Sequence, residues 1–197
     1  MVMADIAGKG VPGALSMANL QANLRSQYAM AVEDLPGLLA SVNRLFFQST
    51  DQSSYATLFF ADYDDTNRIL RYANCGHLPA LLLHPGKSSQ HISAAIAAPQ
   101  WLHSTCTVLG LFEEWETQIA DVTLVPGDTL VLYTDGVTGA VNEDGEEFGQ
   151  SRLVDALLKC GRLPVPQVLQ RVLDEVGQFS RGERQDDITL VIARCSP

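Results

Sequence analysis

The apolar pattern of this chain changes period near residue 55, and that change sets the fold class open to it. Before it, spacing is helical: Val11, Ala14, Leu15, Ala18 and Ala22 recur as one apolar face of a helix starting near Val11-Pro12. A second helix starts at Asp34-Leu35-Pro36, with Leu38, Leu39, Val42, Leu45 and Phe46 as its core stripe. After it, Tyr55–Tyr63 and Arg68–Cys75 read as strands joined by the turn-rich DDTN, a hairpin. Ala80–His84 is a short strand closed by Pro85-Gly86, and 86–107 reads as a loop with no more than one strand. Trp115–Leu124 and Thr129–Thr134 are strands around a Pro126-Gly127-Asp128 turn. GVTGAVNEDGEEFG is a loop with room for a helical turn, followed by helices over Ser151–Lys159 and Pro166–Phe179 and a last strand over Asp187–Ala193. Hairpin-linked strands grouped between helix pairs predict an α+β fold with antiparallel sheets, not a parallel βαβ array.

Length and charge narrow the function classes. At 197 residues the chain suits one domain with one substantial core. A net charge of −10 without a Lys/Arg cluster argues against a nucleic-acid binder, which needs a basic surface to displace counterions. No apolar run approaches the roughly 18 residues that span a bilayer, and no signal-peptide pattern opens the chain. Cys75, Cys106, Cys160 and Cys195 are scattered without a CxxC pair, which fits thiols in a reducing cytoplasm and not a zinc site. Met1 leads directly into the strand VMADI, so the expectation is a C-terminal piece of a longer regulatory protein.

Three aspartates end or begin strand-like runs: Asp5 in VMADIAGKG, Asp135 in LVLYTDGV and Asp186 in RQDDITLVI. Acids gathered without basic partners repel one another unless a cation lies between them, and the usual answer is a divalent metal. Each motif has an ordinary alternative: an Asp-Gly turn for the first, a hairpin DG for the second, and a solvated loop for the third. The GKG segment is not a P-loop, because Met3 and Gly10 stand where Gly and Ser/Thr are required. Gly136 would let the backbone approach whatever Asp135 binds. Asp186 and Asp187, if extended, point in opposite directions.

Taken in order, DIxGKGxPxA, NxGHxP, LxPGDxLxLYTDGVTxAxNxxGExFG and DDITLV resemble the bacterial PPM-type, PP2C-like serine/threonine phosphatases of the SpoIIE/RsbU kind, from about Val2 to Ala193. The resemblance implies a PP2C-like sandwich of two antiparallel sheets flanked by helices, here without the family's N-terminal strand. It implies hydrolysis of protein phosphoserine or phosphothreonine with two Mn²⁺ or Mg²⁺ ions and an activated water, and no protein nucleophile. By motif match Asp5 resembles the carboxylate bridging both ions, the Ile6 carbonyl a ligand of the second ion, and Asp135 and Asp186 the remaining ligands of the first. Gly136 corresponds to the small residue beside that ligand, and Asp187 to a structural neighbour. His77 falls in a structural strand-and-turn motif, and Lys9 is a solvated turn lysine with phosphate contact as the alternative.

Three departures accompany the match. The family's upstream GGDxxD-type strand, which supports the second metal, is absent from this sequence, as are gating helices seen in some relatives. Ala7 stands where the eukaryotic branch has a histidine, which passes leaving-group protonation to water. Gly139 stands where relatives carry Glu. The implied partner is a phosphorylated STAS-type anti-anti-sigma factor in a partner-switching pathway. One alternative is a catalytically weak or inactive phosphatase-fold module that binds a partner or forms a homodimer through an open sheet edge. Another is hydrolysis of a small phosphorylated metabolite.

Overall fold

The computed structural model describes residues 1–31, 33–51, 54–84, 99–161, 163–181 and 186–196. The turn expected at Pro85-Gly86, and most of the loop expected from 86 onward, lie outside the described residues. The chain divides into two compact units, Met1–His77 with His103–Thr123, and Leu78–Leu102 with Leu124–Pro197. Each is built on one four-stranded antiparallel sheet with helices, as the α+β reading predicted.

In the first unit the strand order is β1-β2-β3-β6, with β1 Val2–Ile6, β2 Ala56–Asp64, β3 Ile69–Cys75 and β6 Ala120–Thr123. The β2–β3 hairpin turns on Asp64, whose Oδ1 accepts the Thr66 amide at 2.9 Å while Oδ2 accepts Asn67 Nδ2 at 2.6 Å. Two helices, α1 (Gly10–Ala31) and α2 (Leu35–Ser49), cover one side. Asp34 caps α2 by accepting the Gly37 amide at 3.0 Å, and Pro36 occupies the first turn, where its missing N–H costs nothing. Leu38, Leu39, Val42 and Phe46 of α2 meet Leu58 and Phe60 of β2, alternate residues of one strand face.

The helix α1 buries a different face from the one its spacing suggested. Val11 and Leu15 are 72% and 67% exposed, and Ala14, Ala18 and Ala22 are exposed as well. The buried side carries Leu20 and Leu24, with Met17 packed against the same core. Apolar residues lie on two sides of the helix, parted by Asn19, Asn23 and Ser26 on one flank and Gln21 and Arg25 on the other, so periodicity alone does not select a face. The side with two leucines and a methionine removes more apolar area from water than one rich in alanine.

The strand expected over 115–124 forms only at Ala120–Thr123. It pairs with β3 from Ile69 to Tyr72. Beyond Tyr72 that edge is taken: the Asn74 carbonyl accepts the amides of Thr105 at 2.8 Å and Cys106 at 3.2 Å. Residues 115–119 have no edge left to join. Another long-range tie was illegible in sequence: Asn43, fully buried in the middle of α2, donates to the Phe112 carbonyl and accepts the Gly110 amide, both at 2.9 Å.

In the second unit the order is β5-β4-β7-β8, with β4 Ala80–Leu83, β5 Gln100–Leu102, β7 Thr129–Tyr133 and β8 Leu190–Arg194. All five residues of β7 are buried. A four-residue helix α3 (Asp135–Thr138) follows it, then α4 (Gly149–Cys160) and α5 (Val165–Phe179). Leu153, Ala156 and Leu157 of α4 and Val168, Val172 and Val176 of α5 pack with Val131 and Tyr133 of β7. The turn into β7 is closed by Asp128, whose side chain is wholly buried. Its Oδ2 accepts the Val125 amide at 2.8 Å and its Oδ1 is bonded to His84 Nδ1 at 2.9 Å. Removing that carboxylate takes away the partner of the Val125 amide and of the His84 ring nitrogen and leaves a hole where a wholly buried side chain stood. Asp128→Ala should therefore cost about 1–3 kcal/mol, read as a lower urea midpoint; an unchanged midpoint would show that the turn does not need it.

Candidate metal centre

Asp5 is the penultimate residue of β1, in register with Thr57 of β2, and its side chain is exposed. Ala61 N–H donates to Met1 O and Ala7 N–H to Tyr55 O, both at 2.9 Å. Narrow hydrogen-bonded pairs therefore fall on odd-numbered residues of this strand, and the even ones point their N–H and C=O away from β2. The Ile6 carbonyl is thus directed to the outer edge beside Asp5, while the Ile6 side chain is buried in the core. After Ala7 the chain reverses through Gly8, whose φ of 133° excludes a side chain. The Gly8 carbonyl then lies so near the first turn of α1 that a Cβ at Gly13 would sit 2.8 Å from its oxygen. Lys9, on this turn, is exposed.

In the second unit Asp135 begins α3, two residues past the end of β7, and Asp186 lies four residues before β8. Both are exposed. The segments that carry them are locked together by Thr134. Its amide donates to the Thr189 carbonyl at 3.0 Å, its hydroxyl donates to the Asp187 carbonyl at 3.2 Å, and that hydroxyl accepts the Thr189 amide at 2.9 Å. A Cβ at position 136 would overlap the Asp187 carbonyl oxygen. The glycine beside Asp135 is therefore required by the neighbouring chain, and not, as the sequence suggested, by the approach of a ligand. Asp186 Oδ1 accepts the Asp187 amide at 2.8 Å, which fixes that carboxylate and leaves its other oxygen available. Gly139 caps α3, its amide donating to the Asp135 carbonyl at 2.6 Å; a Cβ there would press on that oxygen at 3.0 Å.

His77 is buried in the first unit. Its Nδ1 is bonded to Thr57 Oγ1 at 2.9 Å, and its amide donates to Asn74 Oδ1 at 2.9 Å. Asn74, itself fully buried, also donates its backbone amide to the Thr105 hydroxyl oxygen at 3.1 Å, so the NCGH segment acts as a pinned turn. Asn74, Thr57 and Thr134 are the positioning residues that the sequence alone did not single out. For Asn74 and Thr134 the signal lay in the motifs, as polar residues flanking the chosen ones; Thr57 stands in a strand outside them.

Among the described residues, no Lys, Arg or His pairs with Asp5, Asp135 or Asp186; the ion pairs fall elsewhere, at Arg71–Asp62, His84–Asp128, Arg152–Glu146, Lys159–Glu175 and Arg181–Glu143. Among the described residues, too, no three His, Cys, Asp or Glu side chains form a ready-made cage. Each unit taken by itself offers oxygen donors unpaired by any base, the type that hard divalent cations take: in the second, two carboxylates on locked adjacent segments, and in the first, one carboxylate beside an outward carbonyl. Mg²⁺ and Mn²⁺ are held by one or two carboxylates with water and substrate, without a full protein cage.

The sequence matches the family described as Stage II sporulation protein E (SpoIIE) over residues 1–196. The chain belongs to the SpoIIE family. It is 26% identical over 196 residues to the phosphoserine phosphatase RsbU of Bacillus subtilis, covering 98% of this chain and 55% of that protein. It therefore spans about half the length of that relative. The fold is that of the SiaA-PP2C domain of Pseudomonas aeruginosa, with a TM-score of 0.80 at 23% identity over 98% of this chain and 74% of that one. The catalytic domain of the serine/threonine protein phosphatase PstP, solved in complex with two manganese ions, superposes with a TM-score of 0.66 at 16% identity, covering all of this chain and 87% of that one. The PP2C-like α+β fold read from the sequence is thus borne out. Among the described residues no helix is long and apolar enough to cross a membrane.

The crowding at Gly136 gives a direct check on the Thr134 lock. Gly136→Ala should lose about 1–3 kcal/mol of stability through overpacking, whereas Gly177→Ala, in open space on α5, should be neutral or stabilising. Equal thermal midpoints for the two variants would contradict the close approach.

Proposed function

We propose that residues 1–197 form one PPM-type phosphatase domain that hydrolyses phosphoserine or phosphothreonine on a protein partner. The observation that carries this reading is the pair of exposed, base-free carboxylates, Asp135 and Asp186, borne by segments locked through Thr134. Asp5 and the outward Ile6 carbonyl supply the remaining oxygen donors. Asp5 would bridge two Mn²⁺ or Mg²⁺ ions, Ile6 would contribute its carbonyl to the second, and Asp135 and Asp186 would hold the first. Bound there, the ions supply Lewis acidity that activates water and offsets the charge of the phosphoryl oxygens.

The protein's own contribution is positional. Thr134 and Gly136 hold the Asp135 segment against Asp187, so the carboxylates do not spread apart under mutual repulsion. Asp186 is oriented by its bond to the next amide. The Gly8 turn places Asp5 at the exposed end of β1. No side chain needs to act as nucleophile. With a net charge of −10, a phosphorylated partner is repelled except where cations reverse the local field, which makes activity strictly metal-dependent. The proposed substrate is a phosphorylated STAS-type anti-anti-sigma factor of a partner-switching pathway in the cytoplasm, a reading supported by similarity to a phosphoserine phosphatase.

A second reading draws on the place of β1 at the end of its strand order. There the backbone groups of Val2 and Ala4 point outward, and such an edge recruits another strand. A catalytically weak module that dimerises or binds a partner would use it. A strictly monomeric species in sedimentation would count against the open-edge part of that reading.

The test is Mn²⁺-dependent phosphate release from a serine-phosphorylated STAS-domain protein, with a small phosphoester in parallel. Asp135→Ala, with its circular dichroism unchanged, should lose more than about 100-fold, beyond the loss usual for an outer-shell partner. Retained activity would refute the assignment. Faster turnover of the small ester than of the phosphoprotein would move the substrate class to metabolites.

A further inference from the structure

Two cysteines outside the metal centre stand side by side in the first unit. Cys75 ends β3, and Cys106 pairs with it in a parallel bridge. Their sulfurs are 3.3 Å apart, one thiol hydrogen-bonded to the other. Neighbouring strands lie about 4.8 Å apart, within the Cα spacing that disulfides adopt, and the two sulfurs need approach by only about 1.2 Å to reach bonding distance. No element has to move for that.

The environments of the two thiols differ in the way a reactive pair requires. Cys75 is fully buried, while Cys106 is half-buried. Thr117 Oγ1 donates to Cys106 Sγ at 3.5 Å, and Thr105 Oγ1 lies 3.6 Å from it. The hydrogen bond shared with Cys75 lowers Cys106 to about 6, against the opposing effect of burial, with the Thr117 and Thr105 hydroxyls adding to the shift. The same sulfur–sulfur bond, with burial, pushes Cys75 up, so its proton stays on. Negative charge therefore settles on the more accessible sulfur, beside a protonated thiol. The other two cysteines lack this arrangement: Cys160 donates to Ala156 O inside α4, and Cys195 interacts with Ser196 O at the chain's end.

We propose that Cys106 and Cys75 form a peroxide-sensitive dithiol, with Cys106 attacked first and Cys75 resolving it to an intramolecular disulfide. In the first step the Cys106 sulfur bonds to one oxygen of hydrogen peroxide as the O–O bond breaks. The sulfur is oxidised by two electrons to the sulfenic acid, and the departing hydroxide leaves as water after taking a proton. In the second step Cys75 Sγ attacks Cys106 Sγ; the S–S bond forms, the S–O bond breaks, and the Cys75 proton leaves with the hydroxide as a second water. Two thiols and one peroxide thus give one disulfide and two waters. A reversible disulfide of this kind is the sort that persists in reducing compartments as a redox sensor.

The site is read by peptide mapping of the whole chain after treatment with a few equivalents of hydrogen peroxide, quenching and alkylation without reductant. The expected result is a linked peptide pair containing Cys75 and Cys106, released by dithiothreitol, with Cys160 alkylated as in the untreated protein. In Cys75→Ala, Cys106 should stop at the sulfenic acid and be trapped by dimedone; the linked peptide of the unmodified chain does not depend on that variant folding. Full alkylation of both Cys75 and Cys106 after peroxide, or a link that uses Cys160 or Cys195 instead, would overturn the proposal.

Discussion

The Asp187 carbonyl oxygen receives the Thr134 hydroxyl and fills the space where any side chain at position 136 would stand. That contact fixes the geometry of the second unit's carboxylates. Asp135 follows β7 and Asp186 precedes β8, and like charges brought to neighbouring strand ends tend to splay them apart. The three hydrogen bonds of Thr134 with Asp187 and Thr189 oppose this, and they work only because Gly136 lets the backbones touch. The fully buried strand β7 provides the rigid base from which the segment projects.

In the first unit the comparable constraint is strand parity. Hydrogen-bonded pairing at odd positions turns the Ile6 carbonyl outward while its side chain anchors the core, so one residue serves packing and site at once. Asp5 and Ile6 face opposite sides for the same reason. The strand opposite is tied through Thr57 to His77, and from there to Asn74 and the 104–106 segment that carries Cys106. A chain of buried polar residues thus runs from the partner strand of Asp5 to the dithiol. Each member is joined to the next by a hydrogen bond.

Much of this was legible in the sequence, because element identity depends on short-range signals. Asp34 and Pro36 marked the start of α2, DDTN marked a hairpin, and the apolar run before Asp135 marked the central strand β7. Each appears within a few residues of where those signals put it. Asp5 near the end of β1 and Asp135 just past β7 were legible too, whereas the strand expected to start at Asp187 starts at Leu190, four residues beyond Asp186. What could not be read is what depends on the partner brought near. The buried face of α1 was misassigned because that helix has two apolar sides, one through Val11, Leu15, Ala18 and Ala22 and one through Met17, Leu20 and Leu24. The strand at 115–119 does not form because residues 105–106 occupy the edge it needed. The glycine at 136 was correctly marked as necessary, but for a ligand in place of the Asp187 backbone. Asn43, Asn74 and Asp128 look like ordinary surface residues until their burial and their long-range partners Phe112, Thr105 and His84 are known.

The central claim is that unpaired carboxylates on this fold hold divalent cations. Calorimetric titration of the chain with Mn²⁺, beside a variant carrying Asp5→Asn, Asp135→Asn and Asp186→Asn, tests it most directly. The account predicts saturable binding by the native chain and its loss in the variant, with the fold retained. Binding that persists undiminished in the triple variant, or no binding by the native chain, would contradict it.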